Sequence, residues 1–200
     1  FLTVTPYSSL LDLSTNLGVV GSATPGGWGN PEIPDLPFYT TSVADELVAY
    51  VTLGDGYIKF RVDNDWSENY GDNDNDGSLE ANGSDIPVTA GTYKILVNLS
   101  SLSYTMEPFS WGLVGDATTN GWDGPDFKLN YNSFGDDWRT VVTLNDGFVK
   151  FRFNNDWALN YGDSGLDGTM ENGGDNIPVE AGNYLVTMNL NTLTYSIESM

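Results

Sequence analysis

The hydrophobic and polar positions of residues 148–154 alternate with a period of two, which is the pattern of a half-buried β-strand. Val149, Phe151 and Phe153 fall on one face of this strand. The other face carries an aromatic ring, two cations and a short polar group, in the order Phe148, Lys150, Arg152 and Asn154. We therefore expect the first face to be buried and the second to present hydrogen-bond donors.

The same strand occurs a second time, 91 residues earlier in the chain. Residues 59–66 read KFRVDNDW and residues 150–157 read KFRFNNDW, and both copies continue into the sequence Asn-Tyr-Gly-Asp. Between residues 53–107 and residues 144–198, 28 of the 55 positions are identical without a gap. A match of that length indicates that the chain contains an internal duplication.

Short apolar segments bounded by turn residues predict the remaining strands of each copy. The predicted strands are Val19–Val20, Leu47–Leu53, Ile86–Val88, Tyr93–Leu99, Tyr104–Glu107, Leu113–Val114, Arg139–Leu144, Ile177–Val179, Tyr184–Leu190 and Tyr195–Glu198. Loops are expected where prolines cluster, around Pro31, Pro34 and Pro37, and over the polar residues 63–85 and 154–176. About seven strands per copy predict an all-β fold of two tandem immunoglobulin-like β-sandwich modules.

The repeat also predicts how the chain divides into domains. The first module is expected over residues 17–108 and the second over residues 109–200. Residues 1–16 match neither copy, so we interpret them as a linker or as the end of a preceding domain.

Charge and composition exclude several classes of function. The chain has 7 Lys and Arg against 28 Asp and Glu, which gives a formal net charge of −21. This balance argues against binding to nucleic acid or to an anionic membrane surface, because both need a basic footprint. There is no His and no Cys, which removes Ser-His-Asp and Cys-His catalysis, ordinary zinc sites and disulfides.

Four of the six tryptophans form matched pairs in loops rich in Gly, Asn and Asp. Trp28 corresponds to Trp122, and Trp66 corresponds to Trp157. An indole in such a loop exposes apolar surface unless something covers it, and the CH-rich face of a pyranose ring suits that role. The alternative is that each indole folds back as a lid over the end of its sandwich. The residues predicted to bind a glycan are Trp28, Lys59, Arg61, Asn64, Trp66, Trp122, Lys150, Arg152, Asn155 and Trp157.

The Lys and Arg residues among the predicted glycan-binding residues allow two interpretations. Only seven Lys and Arg occur in the chain, and four of them lie on the two repeated strands. They could donate hydrogen bonds to sugar hydroxyls, or they could pair with carboxylates of the protein and keep the sheet soluble. The unmatched tryptophans, Trp111 and Trp138, border strands and are expected to be packing residues.

Acidic residues suggest two further sites. Asp72, Asp74 and Asp76, followed by Gly77, have the alternating spacing of a calcium loop. The second copy loses the middle carboxylate, and the alternative is a solvated acidic loop, so calcium is predicted at most weakly and no other cofactor is expected. The matched carboxylates Asp65/Asp156 and Glu80/Glu171 could form a glycosidase pair. Turn-rich loops explain them without chemistry, and we expect no enzymatic activity.

Four segments together resemble the carbohydrate-binding modules of the SusE/SusF family, surface lipoproteins of Bacteroidetes starch-utilisation systems. They are VGDATTNGW (114–122), KFRFNNDWALNYG (150–162), GGDNIPVEAGNY (173–184) and the closing LTYSI, and the resemblance covers residues 17–107 and 111–198. It implies a bacterial outer-membrane protein with an N-terminal lipid anchor and an upstream immunoglobulin-like domain. It also implies non-catalytic binding of an α-glucan by the predicted glycan-binding residues, alongside other outer-membrane glycan-uptake proteins.

Two alternatives to starch binding stay open at this point. Asp63 replaces Asn154 and the acidic segment 72–76 departs from the second copy, so another neutral polysaccharide or oligosaccharide could be the ligand. The rival from a different class is a structural or adhesive pair of immunoglobulin-like modules, braced or not by calcium, that binds no glycan.

Overall fold

The computed structural model describes residues 13–200, which consist of strands and turns without a helix. The first half contains β1 (Ser14–Val20), β2 (Leu36–Thr40), β3 (Glu46–Leu53), β4 (Gly56–Val62), β5 (Asn69–Gly71), β6 (Glu80–Ala81), β7 (Ile86–Val88), β8 (Gly91–Asn98) and β9 (Ser103–Pro108). The second half contains β10 (Trp111–Val114), β11 (Phe127–Lys128), β12 (Asn130–Asn132), β13 (Asp137–Leu144), β14 (Gly147–Phe153), β15 (Asp156–Gly162), β16 (Glu171–Asn172), β17 (Ile177–Val179), β18 (Gly182–Asn189) and β19 (Thr194–Ser199). Over this range the chain has no helix with the length and apolar character needed to cross a bilayer.

In the first half, strand β2 joins two antiparallel layers into one hydrogen-bonded path. One layer runs β6-β5-β4-β1, with β7 also paired to β4, and the other runs β3-β8-β9. β2 pairs with β1 at Leu36 and Pro37 and with β3 at Tyr39 and Thr40. Pro37 is tolerated inside this strand because it precedes the segment that pairs with β3, so its missing N–H costs no ladder bond there.

The second half has the same arrangement, except that the connecting strand is divided into β11 and β12. One sheet runs β11-β10-β14-β15-β16 with β17 paired to β14, and the other runs β12-β13-β18-β19. All strand pairs in both halves are antiparallel. The prediction of an all-β fold made of antiparallel sheets is therefore confirmed, and the layering is that of a β-sandwich.

Each half encloses its own hydrophobic cluster between its two layers. Phe60 of β4 and Ile95 of β8 belong to the cluster of the first half, and Phe151 of β14 and Val186 of β18 belong to that of the second half. All four side chains are fully buried. Period-two alternation therefore identified the core face of both repeated strands correctly. The domain boundaries themselves stay a prediction.

An aromatic seam joins the two halves. We use this name for Tyr50 of β3 together with Phe109, Tyr131 and Trp138 of the second half. The Tyr50 ring centroid lies 4.7 Å from that of Trp138, 4.8 Å from that of Tyr131 and 5.2 Å from that of Phe109. Burial in this cluster raises the pKa of Tyr50 to about 12, with Asp136 and Glu107 acting in the same direction.

Several elements differ from the expectation. β2 lies where the prolines predicted a loop, and the polar segments 63–85 and 154–176 contain the short strands β5, β6, β15 and β16. These strands are two to seven residues long and mostly polar, so they carry little periodic signal. β1 begins at Ser14, within the segment interpreted as a linker, and residues 1–12 lie outside the described range.

Candidate functional site

A pair of tryptophans lies over the polar face of the repeated strand in each half. The ring centroids of Trp28 and Trp66 are 6.0 Å apart and their planes are inclined by 39°. Trp122 and Trp157 are also 6.0 Å apart and inclined by 39°. Trp28, Trp66 and Trp157 are 40%, 41% and 45% exposed, and Trp122 is partly exposed. The structure thus places the two loop tryptophans of each half side by side, and it leaves their surfaces partly open to solvent.

A buried arginine contacts the inner face of one tryptophan in each pair. The Cζ atom of Arg61 lies 4.8 Å from the ring centroid of Trp66, and that of Arg152 lies 4.6 Å from the ring centroid of Trp157. A guanidinium over an indole face is attracted by the ring quadrupole. The exposed indoles are therefore fixed in orientation by a contact on their inner side.

Each of these arginines is also held by a carboxylate. Arg61 donates from Nε and Nη2 to Asp35 at 2.6 and 2.9 Å, and Arg152 donates in the same way to Asp126 at 3.0 and 2.5 Å. The side chains of the two pairs are at most 6% exposed. The hydrogen bond with Asp35 raises the pKa of Arg61 against the opposing effect of burial. The geometry favours the interpretation in which both arginines pair within the protein.

Two glycines make room for these carboxylates. Gly18 lies opposite Arg61 in the β1–β4 register, and Gly112 lies opposite Arg152 in the β10–β14 register. A Cβ atom at Gly18 would come within 2.5 Å of the Asp35 Cβ, and one at Gly112 would clash with Asp126. The glycines let an aspartate cross over the neighbouring strand and reach the guanidinium.

Two asparagines fix the turn between the arginine and the exposed tryptophan. Asn64 and Asn155 have φ values of 54°, and the residues before them also have positive φ, as a type I′ turn requires. The Oδ1 atom of Asn64 accepts from the backbone N–H of Asp35 at 2.8 Å, and that of Asn155 accepts from Asp126 at 2.9 Å. Both predicted residues therefore lie at the site, where they clamp the loop that carries the aspartate.

The lysines of the repeated strands lie beside the arginines and are almost fully covered. Lys59 and Lys150 are each 9% exposed. Within residues 13–200 neither Nζ atom forms an ion pair. Burial lowers the pKa of Lys150, and the carboxylate of Asp175 acts in the opposite direction. These ammonium groups keep donors that the protein itself does not use in an ion pair.

Asn69 and Asn160 belong to the site although the sequence pattern did not mark them as candidate binding residues. Asn69 Nδ2 donates to the carbonyl oxygen of Trp66 at 3.0 Å, and Asn160 Nδ2 donates to that of Trp157 at 3.0 Å. Both Oδ1 atoms are buried and have no partner among the described residues. Their repetition in the Asn-Tyr-Gly-Asp sequence was the available signal. A sequence signal was also available for Asp35 and Asp126, because each lies between a proline and an apolar residue.

The acidic loops use their carboxylates for internal hydrogen bonds. Asp72 is fully buried and accepts from the backbone of Asp74, Asp76 and Gly77 at 3.1, 3.3 and 2.9 Å, and from the Tyr104 hydroxyl at 3.1 Å. Residues 13–200 contain no group of three acidic side chains arranged to hold a metal ion. Calcium binding at this loop stays a prediction.

The carboxylates considered as a glycosidase pair are also engaged in local turns. Asp65 and Asp156 each accept a hydrogen bond from the backbone N–H group two residues ahead. Glu80 accepts one from the backbone N–H of Asn73, and Glu171 accepts one from that of Ser164. The donor–acceptor distances of these four hydrogen bonds are 2.7 to 3.0 Å. Hydrogen bonds with Ser67 lower the pKa of Asp65. A general acid needs the opposite shift.

Comparisons with known proteins find a distant likeness to solved structures. No family model and no curated protein matches the chain. The chain is similar to the crystal structure of SusF from Bacteroides thetaiotaomicron, with 18% sequence identity and a TM-score of 0.37. The match covers 98% of this chain and 50% of that one, so the chain spans about half the length of the structure that it matches. A likeness this distant transfers neither site residues nor a ligand.

Proposed function

We propose that this protein binds a neutral polysaccharide without catalysis, at the bacterial outer-membrane surface, with a starch-like α-glucan as the first candidate. The observation that carries the proposal is the repeated tryptophan pair with its geometry of 6.0 Å and 39° in both halves. Two inclined, partly solvent-exposed indoles provide an apolar surface on which the faces of sugar rings can stack. The surface localisation rests on the family resemblance of the sequence.

The surroundings of the tryptophan pair support a sugar ligand over a purely apolar one. Lys59 and Lys150 form no ion pair with any residue of the described range 13–200, and sugar hydroxyls need such ammonium donors when they leave water. The arginines act indirectly in this proposal, because they hold the indoles in place instead of reaching for hydroxyls. A ligand held by two indoles and one lysine is bound weakly, about the millimolar range. Two sites on one polymer then raise the avidity.

The experiment is affinity electrophoresis of the purified chain through gels that contain soluble starch or one of a panel of β-glucans, mannans and xylans. We expect retardation by starch. Retardation only by another neutral glycan would keep the mechanism and replace the ligand. Unchanged migration in every gel would contradict the proposal and favour the structural or adhesive module pair.

Single tryptophan variants locate the binding surface. Trp66→Ala and Trp157→Ala should each reduce retardation, and the double variant should abolish it, because each half loses one wall of its platform. Both indoles are more than 40% exposed, so we expect a change of less than about 1 kcal/mol in the free energy of unfolding. Leu166→Ala, at another exposed loop position, is the control that should leave retardation unchanged. Unfolding of Trp157→Ala would show instead that this indole is a packing residue.

A further inference from the structure

An exposed aromatic residue that the tryptophan site does not use recurs in both halves. Tyr57 of β4 is 50% exposed and Phe148 of β14 is 44% exposed. Each lies directly opposite a solvent-exposed proline, Pro87 for Tyr57 and Pro178 for Phe148. An aromatic ring beside a proline ring forms a small apolar patch, and the duplication has kept this patch at the same position twice.

The patch lies on the same face of the strand as the tryptophan platform. Phe148, Lys150 and Arg152 alternate with the core residues Val149 and Phe151, so their side chains point away from the core. Phe148 and Arg152 are four residues apart, which corresponds to about 13 Å along a strand. Arg152 lies under one of the tryptophans, so the aromatic patch and the platform occupy two ends of one strand face.

The loop that carries Trp122 is bonded to the backbone of Phe148. Phe148 N–H donates to Asp116 Oδ1 at 2.7 Å, and the carbonyl oxygen of Phe148 accepts from Ala117 at 3.2 Å. Gly115, which starts this loop, forms a β-bridge with Gly121, the residue before Trp122. Trp122 is therefore about two strand spacings, or roughly 10 Å, from Phe148 across the sheet. The first half has the equivalent hydrogen bonds. Tyr57 N–H donates to Ser22 Oγ, and the carbonyl oxygen of Tyr57 accepts from Ala23 N–H.

We infer that Tyr57 and Phe148 form an outer subsite that contacts additional sugar rings of the same glycan chain bound at the tryptophan pair. This inference rests on the proposed function. A single sugar ring is shorter than the distance between the two ends of the strand face, so only a longer oligosaccharide reaches the outer subsite. Tyr57 and Phe148 differ by a hydroxyl group, so the shared aromatic ring, and not the hydroxyl, makes the contact.

The test compares oligosaccharides of different length in a chain with one working site. The parent is Trp28→Ala/Trp66→Ala, in which only the second half binds, and the probes are the linear oligosaccharides of the retarding glycan, with maltose to maltoheptaose as the first choice. Phe148→Ala should weaken binding of the heptasaccharide about tenfold, which equals about 1.4 kcal/mol. It should leave binding of the shortest oligosaccharide that the parent binds unchanged.

Phe134→Ala is the matched control, because Phe134 is an aromatic residue that is 63% exposed in the turn between β12 and β13. It should change neither affinity. Equal affinities of the parent and Phe148→Ala for every length would overturn the outer subsite and leave the proposed function standing. An equal loss for every length would also overturn it, since it would place Phe148 at the platform itself. Failure of the wild type to bind any probe would refute both, whereas failure of the parent alone would overturn the outer subsite at Phe148 and leave glycan binding by the first half standing.

Discussion

At the scale of single residues, the site depends on side chains that are almost completely buried. Asp126 holds Arg152, and Arg152 holds the inner face of Trp157. The exposed ring is thus the last member of a chain of contacts that begins at a buried carboxylate. The strand pattern predicted where Arg152 would be, but it could not predict the ion pair, because Asp126 is 26 residues away in the sequence.

Removing the buried carboxylate should therefore affect stability and binding together. Asp126→Ala leaves the Arg152 guanidinium buried without its partner, and we expect a loss of about 3 to 5 kcal/mol in the free energy of unfolding, measured by denaturant titration. The double variant Asp126→Ala/Arg152→Met should recover part of that loss, because no charge stays buried. Identical stability of Asp126→Ala and the wild type would contradict the role given to this pair.

The loop carboxylates Asp72 and Asp163 should make stability depend on pH in the acidic range. Burial alone would raise the pKa of Asp163, but hydrogen bonds from Gly168 N–H and the Tyr195 hydroxyl outweigh it and lower the pKa. The stabilisation is thus complete above the unfolded value of about 3.9 and is lost as pH falls through the lower folded value.

Asp163→Asn tests this dependence directly. The variant should be less stable than the wild type at neutral pH, and the difference should shrink as the pH falls below about 4, because the carboxylate then binds a proton in the unfolded wild type before it does so in the folded protein. The measurement is the free energy of unfolding of both proteins across that range. A difference that stays constant down to the lowest pH would show that protonation of Asp163 does not matter for stability.

At the scale of elements, the packing of one strand against the next determines which side chains can reach the site. β10 can lie beside β14 and still admit Asp126 only because Gly112 has no side chain at the crossing point. Gly112→Ala should push Asp126 away from Arg152 and destabilise the protein by about 1 to 3 kcal/mol, as overpacking does. Gly165→Ala, in an exposed loop, is the control. Full stability of Gly112→Ala would mean that the aspartate loop has room to move.

The elements that the sequence predicted well are those with a strong period. Val149, Phe151 and their counterparts mark the core strands, and Ile86–Val88 and Ile177–Val179 were predicted with the observed bounds. The sequence did not predict β2 because Pro37, taken alone, indicates a loop. Pro37 fits within this strand only because β2 pairs with β1 over one part of its length and with β3 over another. At the site, repetition identified the tryptophans, whereas the contacts of the arginines and asparagines required tertiary structure.

At the scale of the whole molecule, the aromatic seam fixes one half against the other. Tyr50→Ala should remove the ring on which Phe109, Tyr131 and Trp138 converge. Truncating a largely buried aromatic costs about 3 kcal/mol or more, so thermal unfolding should begin at a lower temperature. Retardation by the polymer should weaken while affinity for a short oligosaccharide stays the same, because each tryptophan pair is intact and only their relative orientation is freed.

Tyr57→Ala is the control for this prediction, since it removes an exposed aromatic from the same half without touching the seam. It should leave the onset of unfolding unchanged. Unaltered thermal stability of Tyr50→Ala would mean that the two halves do not stabilise each other through this contact.

The short connection between the halves has a consequence for the history of the duplication. Phe109 donates its backbone N–H to Thr92 of the first half, while Asn154 of the second half bonds the carbonyl oxygen of Pro108 and the N–H of Ser110. Every residue of the connection is thus used by one copy or the other, and Asp63, at the position of Asn154 in the first copy, cannot donate such a bond in its ionised form. The two copies of the repeat are therefore no longer equivalent at this connection.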